Sequence, residues 1–433
     1  MATDDRHAFR GVSGRSAVGR RRTSELPLER PAERELVAEA DAHRDPRQRL
    51  LAVQQDLGGT PEPKVHQPAV RAATVPAAAQ APQVLVAPER RDAVALGAAP
   101  IGSSTRDPMF VRWADRGSFT NWSPGPSTTA GGQRLAYGSR IIIGHKMRRE
   151  IVVFTDAAIY SMQAVDGGTS AFRFELIEQR AGIIGPQAAV ANRSGTLFWM
   201  DLSGWYRYDG RVTAIDCPVR DKVFNDINLG RLNQVVAGDN PSFHEVWWFY
   251  PGRFSTANDR YVVYNYKLDI WYFGTQVKRS AWLSTPLFPY PLGASDAGVF
   301  FHEEGYDNTD TGVPLPILSY IRSSPMDIAG GEDVVVAQTL VPDINFDGTP
   351  PGANPIVTFS LIASDYPGDP HFALQRADAS TILGDGVEIR PYTPKLDFRR
   401  RGRKFSIELR NQQTGVFWKS GLHRIWVRKD GKR

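Results

Sequence analysis

The chain has 433 residues with a net charge of +5, and its aromatics number 10 Trp, 14 Tyr and 21 Phe. That length allows two or three domains with ample core. Cys217 is the only cysteine, which excludes an intrachain disulfide and a Cys-based zinc site, and no apolar run approaches the roughly 18 residues of a membrane span. The charge is too mild by itself to imply nucleic acid, and the absence of an apolar signal core at the N-terminus argues against Sec-type export.

Residues 1–104 read as an arm. The first hundred hold 14 Arg against one Lys and a single aromatic, Phe9, so they cannot build the kind of core available downstream. The composition is that of a disordered or weakly helical segment, with 32–42 and 47–57 as helix candidates. Arg-rich, Lys-poor and aromatic-poor text is also what a shifted reading frame in GC-rich DNA produces, so the alternative is that part of the arm is not authentic. No function is built on it.

Residues 105–314 read as a β-propeller. After Pro108, an Asp115-x-Gly117 turn between Trp113 and Trp122 comes close to the Asp-box hairpins of sialidase-like propellers. Its spacing is one residue long, and a structural turn with tryptophan packing accounts for it. Strands and hairpins follow in RIIIGHK, EIVVFTDAAIYSMQ, AFRFELIEQ and GTLFWMDLSGWYRYDGR. The segment 217–232 is the one convincing helix, with Val219, Val223 and Ile227 at helical spacing.

The stretch 244–274 then predicts an antiparallel meander from Val246–Tyr250, Tyr261–Tyr266 and Ile270–Phe273. Val262, Tyr264 and Tyr266 fall on one face, Tyr261, Val263 and Asn265 on the other, so both faces require cover. Propeller blades, each lying between two neighbours, provide it. An Asp turn followed by an aromatic strand recurs at Asp156, Asp201, Asp269 and Asp296 with uneven intervals, predicting an irregular array.

Residues 315–433 read as a β-rich, sandwich-like or barrel-like domain, with a possible contribution of strands back to the propeller. Alternation at Phe405, Ile407, Leu409 and at His423, Ile425, Val427 marks strands with one wet face.

Signatures of chemistry are sparse. The sequence has no phosphate-binding Gly-x4-Gly-Lys loop, no Gly-x-Ser-x-Gly elbow and no His-Glu-x-x-His helix. His244-Glu245 and His302-Glu303-Glu304 lack the second histidine and read as polar strand ends. Asp343, Asn345 and Asp347 have the rhythm of a calcium loop, yet position 12 is Asn354, and an Asp-Gly turn is the better account. Asp307 to Gly312 is weaker still. No catalytic, cofactor or metal residue is therefore assigned. The strongest charge feature is Arg390, Lys395, Arg399, Arg400, Arg401, Arg403 and Lys404, read as a solvated loop, a patch for an acidic protein, or sequence-blind phosphate contacts.

The order of REIVVFTDAAIYSMQ, GIIGPQAAV, GTLFWMDLSGWYRYDGRV, VRDKVFNDIN, HEVWWFYP, DRYVVYNYKLDIWYFG, AWLS, FFHEEG and RRRGRKFSIELR resembles the tail nozzle, or packaged-DNA stabilisation, proteins of short-tailed bacteriophages. The resemblance covers about residues 105–433. It implies a propeller-bearing subunit of a ring, typically a hexamer, below the portal, closing and conducting the DNA channel without catalysis or cofactor. It further implies other tail and portal-adaptor proteins as partners, transient sequence-independent contact with double-stranded DNA, and residence in the virion tail after assembly in the host cytoplasm. Arg399, Arg400, Arg401, Arg403 and Lys404 become assembly or phosphate contacts, with assembly favoured because a basic conduit would hold back a passing duplex. Two other expectations stand beside it. One is a carbohydrate-binding or carbohydrate-degrading propeller, which would present tryptophans such as Trp113, Trp122 or Trp205 around a pocket with paired carboxylates. The other is a cellular propeller scaffold.

Overall fold

The computed structural model describes residues 7–10, 81–165, 171–179, 181–275, 277–328, 333–364 and 386–432. The two helix candidates of the arm lie outside the described residues. The chain divides into two compact units, one from His43 to His302, the other from Glu303 to Arg433 together with Met1–Ala42. The first strand, β1 (His7–Arg10), belongs to the second of these.

The apolar faces of the 244–274 stretch set the plan of the His43–His302 unit. Four strands form the first sheet: β2 (Gln83–Val86), β3 (Ala93–Leu96), β4 (Phe110–Trp113) and β5 (Gly131–Arg134). The second holds β6 (Ile141–Lys146), β7 (Glu150–Thr155), β8 (Ala158–Ala164) and β9 (Phe172–Gln179). The third is β10 (Ala189–Ala191), β11 (Leu197–Asp201), β12 (Gly204–Tyr208) and β13 (Val212–Ile215), and the fourth β14 (Val236–Asn240), β15 (Glu245–Pro251), β16 (Asn258–Asn265) and β17 (Ile270–Thr275). A fifth has three strands, β18 (Ala281–Leu283), β19 (Leu292–Ser295) and β20 (Gly298–Phe301). Every sheet is an antiparallel meander in chain order, and the first strand of each lies beside the first strand of the next. These are the blades of an irregular β-propeller.

Side-chain alternation explains the stacking. In the fourth blade Val246, Trp248, Tyr250, Val262 and Tyr264 face the third blade, where they meet Phe198, Met200 and Trp205. Trp247, Phe249 and Val263 point the other way, toward Trp282 of the fifth. Val152, Phe154 and Ile159 of the second blade pack on Leu197 and Trp199 of the third, while Val153 and Tyr160 turn to Leu96, Val111 and Trp113 of the first. Each of the fully buried Trp199, Trp205 and Trp248 removes roughly 200 Å² from water, about 5 kcal/mol before conformational entropy is charged against it. The outward face of the first blade is closed by its own loop. Trp122 packs there on Ala93, Ala95 and Ala114, tied by Arg112, whose guanidinium donates to the Trp122 carbonyl at 2.9 Å.

Three boundaries differ from the sequence expectation. The first blade begins at Gln83, so β2 and β3 fall inside the stretch read as an arm; all four residues of β3 are buried, but neither strand carries an aromatic signal. The helix expected over 217–232 is a short α1 (Arg220–Asp226) and a 3-10 turn (Leu229–Gln234), separated because Ile227 is extended and the Asn228 side chain caps Gly230. Val223 and Ile227 are still buried, as their spacing requires. The blade period is also more regular than the aspartates suggest: the later four blades start at Ile141, Ala189, Val236 and Ala281, every 45 to 48 residues. Asp156, Asp201 and Asp296 mark the second turn of their blades, but Asp269 marks the third turn of its own.

The Glu303–Arg433 unit contains β21 (Asp307–Asn308), β22 (Leu315–Pro316), β23 (Ser319–Arg322), β24 (Met326–Asp327), β25 (Asp333–Val341), β26 (Ile344–Asn345), β27 (Val357–Ser364), β28 (Val387–Ile389), β29 (Leu396–Gly402), β30 (Lys404–Asn411), β31 (Lys419–Ser420) and β32 (Arg424–Lys432). Two sheets, β1-β32-β25-β29 and β23-β30-β27-β28, share one core of Val335, Ala337, Leu340, Phe359, Phe405, Leu409 and Ile425. The sandwich expectation is met. Among the described residues no strand after Phe301 joins a blade, so this unit does not complete the propeller's sheets, and it starts at Glu303, not at 315.

Gly238 lies on the inner strand β14, where an added Cβ would collide with the Trp282 indole. Gly238→Ala is expected to destabilise the propeller by about 1–3 kcal/mol, measured as a lower urea midpoint with an unchanged denaturant slope.

Candidate functional site

The sandwich places the basic cluster first. Strand β29 alternates strictly: Leu396 and Phe398 face the core, whereas Asp397, Arg399 and Arg401 are exposed on the other face. Arg400 pairs in register with Ala337, a core-facing position, and Arg403 and Lys404 lie at the turn into β30, on the opposite sheet. The run therefore does not form one patch. Arg401 is paired with Asp430 at 2.7 Å, Lys395 with Asp397 at 2.9 Å and Arg390 with Glu388 at 2.6 Å. Arg424 and Arg428, which sequence reasoning passed over, are exposed on the same outer face as Arg399 and Arg401, with the partly exposed Trp426 between them. The alternation that assigned His423, Ile425 and Val427 to the core already contained that signal.

In the propeller, the inner strands carry buried polar groups. Asp239 of β14 is 4% exposed, its Oδ1 has no hydrogen-bond partner, and burial pushes its carboxyl up to about 7, with Arg193 opposing. His145 of β6 packs edge-on against Phe154, and burial lowers its pKa to about 4. His302 follows β20 in the fifth blade, its ring tilted against Trp282 and edge-on to Trp247, and its Nε2 accepts from Arg279 Nε at 2.7 Å. Burial first, then that guanidinium, hold its pKa well below the usual value. The sequence expectation of a polar strand end fails here because the aromatic rings enclose the histidine.

Two hollows open between outer strands. One, of about 440 Å³, is lined by Glu150, Ser161, Gln163, Glu175, Glu178, Tyr208 and Arg211 from the second and third blades. Glu150 accepts from Ser161, from Gln163 at 3.3 Å and from Tyr208 at 3.4 Å, and Glu175 pairs with Arg173 at 2.6 Å. The other, also about 440 Å³, runs along Ser203, Trp205, Tyr206, Asp216, Cys217 and Arg220. Burial pushes the Cys217 thiol up to about 12, so it does not supply a thiolate near neutrality.

The remaining motifs have structural partners. The Asp343 carboxylate accepts from the Leu422 amide at 2.7 Å, while Asn345 and Asp347 bond to each other in a turn ending at Gly348 (φ 111°). Asp307 accepts from the Gly415 amide, Glu245 from the Trp247 indole, and Asp115 from the Thr129 amide and hydroxyl, which hold its carboxyl below the usual value. Trp113, Trp122 and Trp205 are all buried, so none offers a platform to a sugar ring. Among the described residues no group of three or more His, Cys, Asp or Glu is placed to hold a metal ion, and no helix is long and apolar enough to cross a membrane.

No protein-family model matches the chain, and no curated protein matches it. Among solved structures it is similar to the extracellular domain assigned to a one component system of B. thetaiotaomicron, at 10% identity and a TM-score of 0.30 over 71% of this chain and 46% of that one. It is also similar to an exo-beta-1,3-galactanase from Phanerochaete chrysosporium, at 11% identity and a TM-score of 0.16 over 80% of each chain. The chain spans less than half the length of the first of these. Such TM-scores carry no argument about activity.

Asp239 and His145 give opposite pH dependences. His145 binds its proton in the unfolded chain below 6.5 but in the folded one only near 4, so stability falls as pH drops through that window. Asp239 holds its proton up to about 7 when folded against 3.8 when unfolded, so stability falls as pH rises through that range. Asp239→Asn is expected to raise stability above pH 7 by about 2–4 kcal/mol and to expose the His145 slope. Chemical denaturation from pH 4 to 8 checks both signs.

Proposed function

We propose that this protein is a structural component of a short-tailed phage tail, a ring-forming adaptor that walls the DNA channel and has no catalytic role. The observation that supports this most is the bare end of the blade stack. The outward face of the fifth blade is built from Ala281, Leu283, Leu292, Ala294, Val299 and Phe301; Leu283 and Val299 are each 51% exposed, and Leu287 of the loop between β18 and β19 is 86% exposed. The faces that successive blades turn toward one another hold buried apolar clusters. An apolar surface at one end and a different surface elsewhere is the arrangement of a head-to-tail contact, which closes into a ring when the rotation permits. The order of sequence motifs supplies the tail setting.

The deciding experiment is particle imaging and mass photometry of the purified full chain. Rings with a central hole are expected, and Leu283→Glu with Val299→Glu should convert them to folded monomers. A wild-type chain that stays monomeric at micromolar concentration and does not join tail assemblies would sink the reading.

A second reading, a carbohydrate-binding or carbohydrate-degrading propeller, has one feature in its favour: the hollow lined by Glu150, Glu175 and Glu178 with hydroxyl and amide neighbours. It requires that host polysaccharide bind with measurable heat, and that Glu150→Gln weaken binding at least tenfold. The buried tryptophans weigh against it.

A further inference from the structure

The outer face of the sheet β1-β32-β25-β29 presents positive charge in two dimensions. Along β32, Arg424, Trp426 and Arg428 occupy successive outward positions. Across the sheet, Arg428, Val336 and Arg401 stand in one register row, and Arg399 lies two residues before Arg401. Residues two apart on a strand are separated by roughly 6.6–6.8 Å and neighbouring strands by about 4.8 Å. Arg424 and Arg428 therefore sit roughly 13 Å apart, and Arg401 about 10 Å from Arg428. Carboxylates of this sheet are already engaged, Asp430 with Arg401, Asp397 with Lys395 and Asp333 with Lys429. Among the described residues Arg399, Arg424 and Arg428 form no ion pair.

We infer that this face binds single-stranded nucleic acid, the guanidiniums contacting phosphates and Trp426 stacking on a base. Charge alone would suit any polyanion. What selects a single strand is the partly exposed aromatic ring set between two exposed arginines along β32, because an unstacked base offers the π-face that an indole can cover and a duplex does not. Tyr392, fully exposed in the loop leading into β29 beside Arg390 and Lys395, adds a second ring near the same strand. The site is built from residues of the Glu303–Arg433 unit and the fifth-blade face from residues of the His43–His302 unit, so different substitutions test this inference and ring formation.

The test is fluorescence anisotropy of an oligothymidylate of about 16 nucleotides titrated with the full chain over a range of salt. Arg424→Ala with Arg428→Ala should weaken binding at least tenfold at low salt and reduce the slope of log K against log salt by about 1.4. Arg424→Lys with Arg428→Lys should retain that slope. Trp426→Leu should weaken binding about fivefold or more with the slope unchanged. Arg148→Ala with Arg149→Ala removes the same charge from exposed positions of the propeller and should change neither. No binding at low salt overturns the inference. So does equal weakening by the Arg148 and Arg149 pair, or a duplex of equal length binding as tightly while Trp426→Leu has no effect.

Discussion

The contact between Trp205 and the fourth blade carries the architecture. Its ring lies 4.9 Å from Trp271 and 6.3 Å from Trp248, and Trp248 stacks on Trp271 at 6.0 Å, so one interface is filled by three indoles from two sheets. A four-stranded meander cannot bury both its faces alone. It must be sandwiched, and sandwiching successive meanders produces a stack whose inner strands converge. Three other indole N–H groups are satisfied within the same plan, while that of Trp205 is buried without a hydrogen-bond partner. Trp248 donates to the Ala188 carbonyl, Trp271 to Asp216 and Trp282 to Asp239, each joining one blade to the chain of the blade or linker before it. These bonds set the angle of approach, which apolar packing alone leaves loose.

Much of this is legible in the sequence. The two-faced aromatic pattern of 244–274 predicted a meander covered on both sides, and it is so covered, face by face, by Trp205 and its neighbours and by Trp282. The alternation at 423–427 correctly separated core from solvent. What escaped was the first blade, because β3 is built from Ala93, Val94, Ala95 and Leu96, small side chains that look like low-complexity text although all four are buried. The blade period was hidden for another reason: turns were counted by their aspartates, and Asp269 occupies a left-handed position (φ 56°) in a different hairpin.

The candidate site was less legible than the fold, since linear clustering is a poor guide on a strand. Residues 399–401 are neighbours in sequence and fall on opposite faces, while Arg401 and Arg428, 27 positions apart, share a row. A pleated strand inverts the face at every step. The relevant pattern was therefore every second residue in two separate segments, joined only when β25 brings them together. Asp239 was invisible in the same way: within Gly238-Asp239-Asn240 it reads as a turn, and only the burial of the inner strand gives its carboxyl an unusual proton affinity.

The fifth blade differs from the others in having three strands and one wet apolar side, fastened to the stack through the Trp282 and His302 rings, which meet Trp247 and Phe249 of the fourth blade. In a quasi-one-dimensional array, cooperativity decays toward a terminal repeat that lacks a neighbour. Amide exchange should consequently run as a gradient, slowest where the third and fourth blades meet and fastest at the last, so that fraying starts at this margin. Whatever settles against it would act as a capping repeat, tightening the whole array from one end.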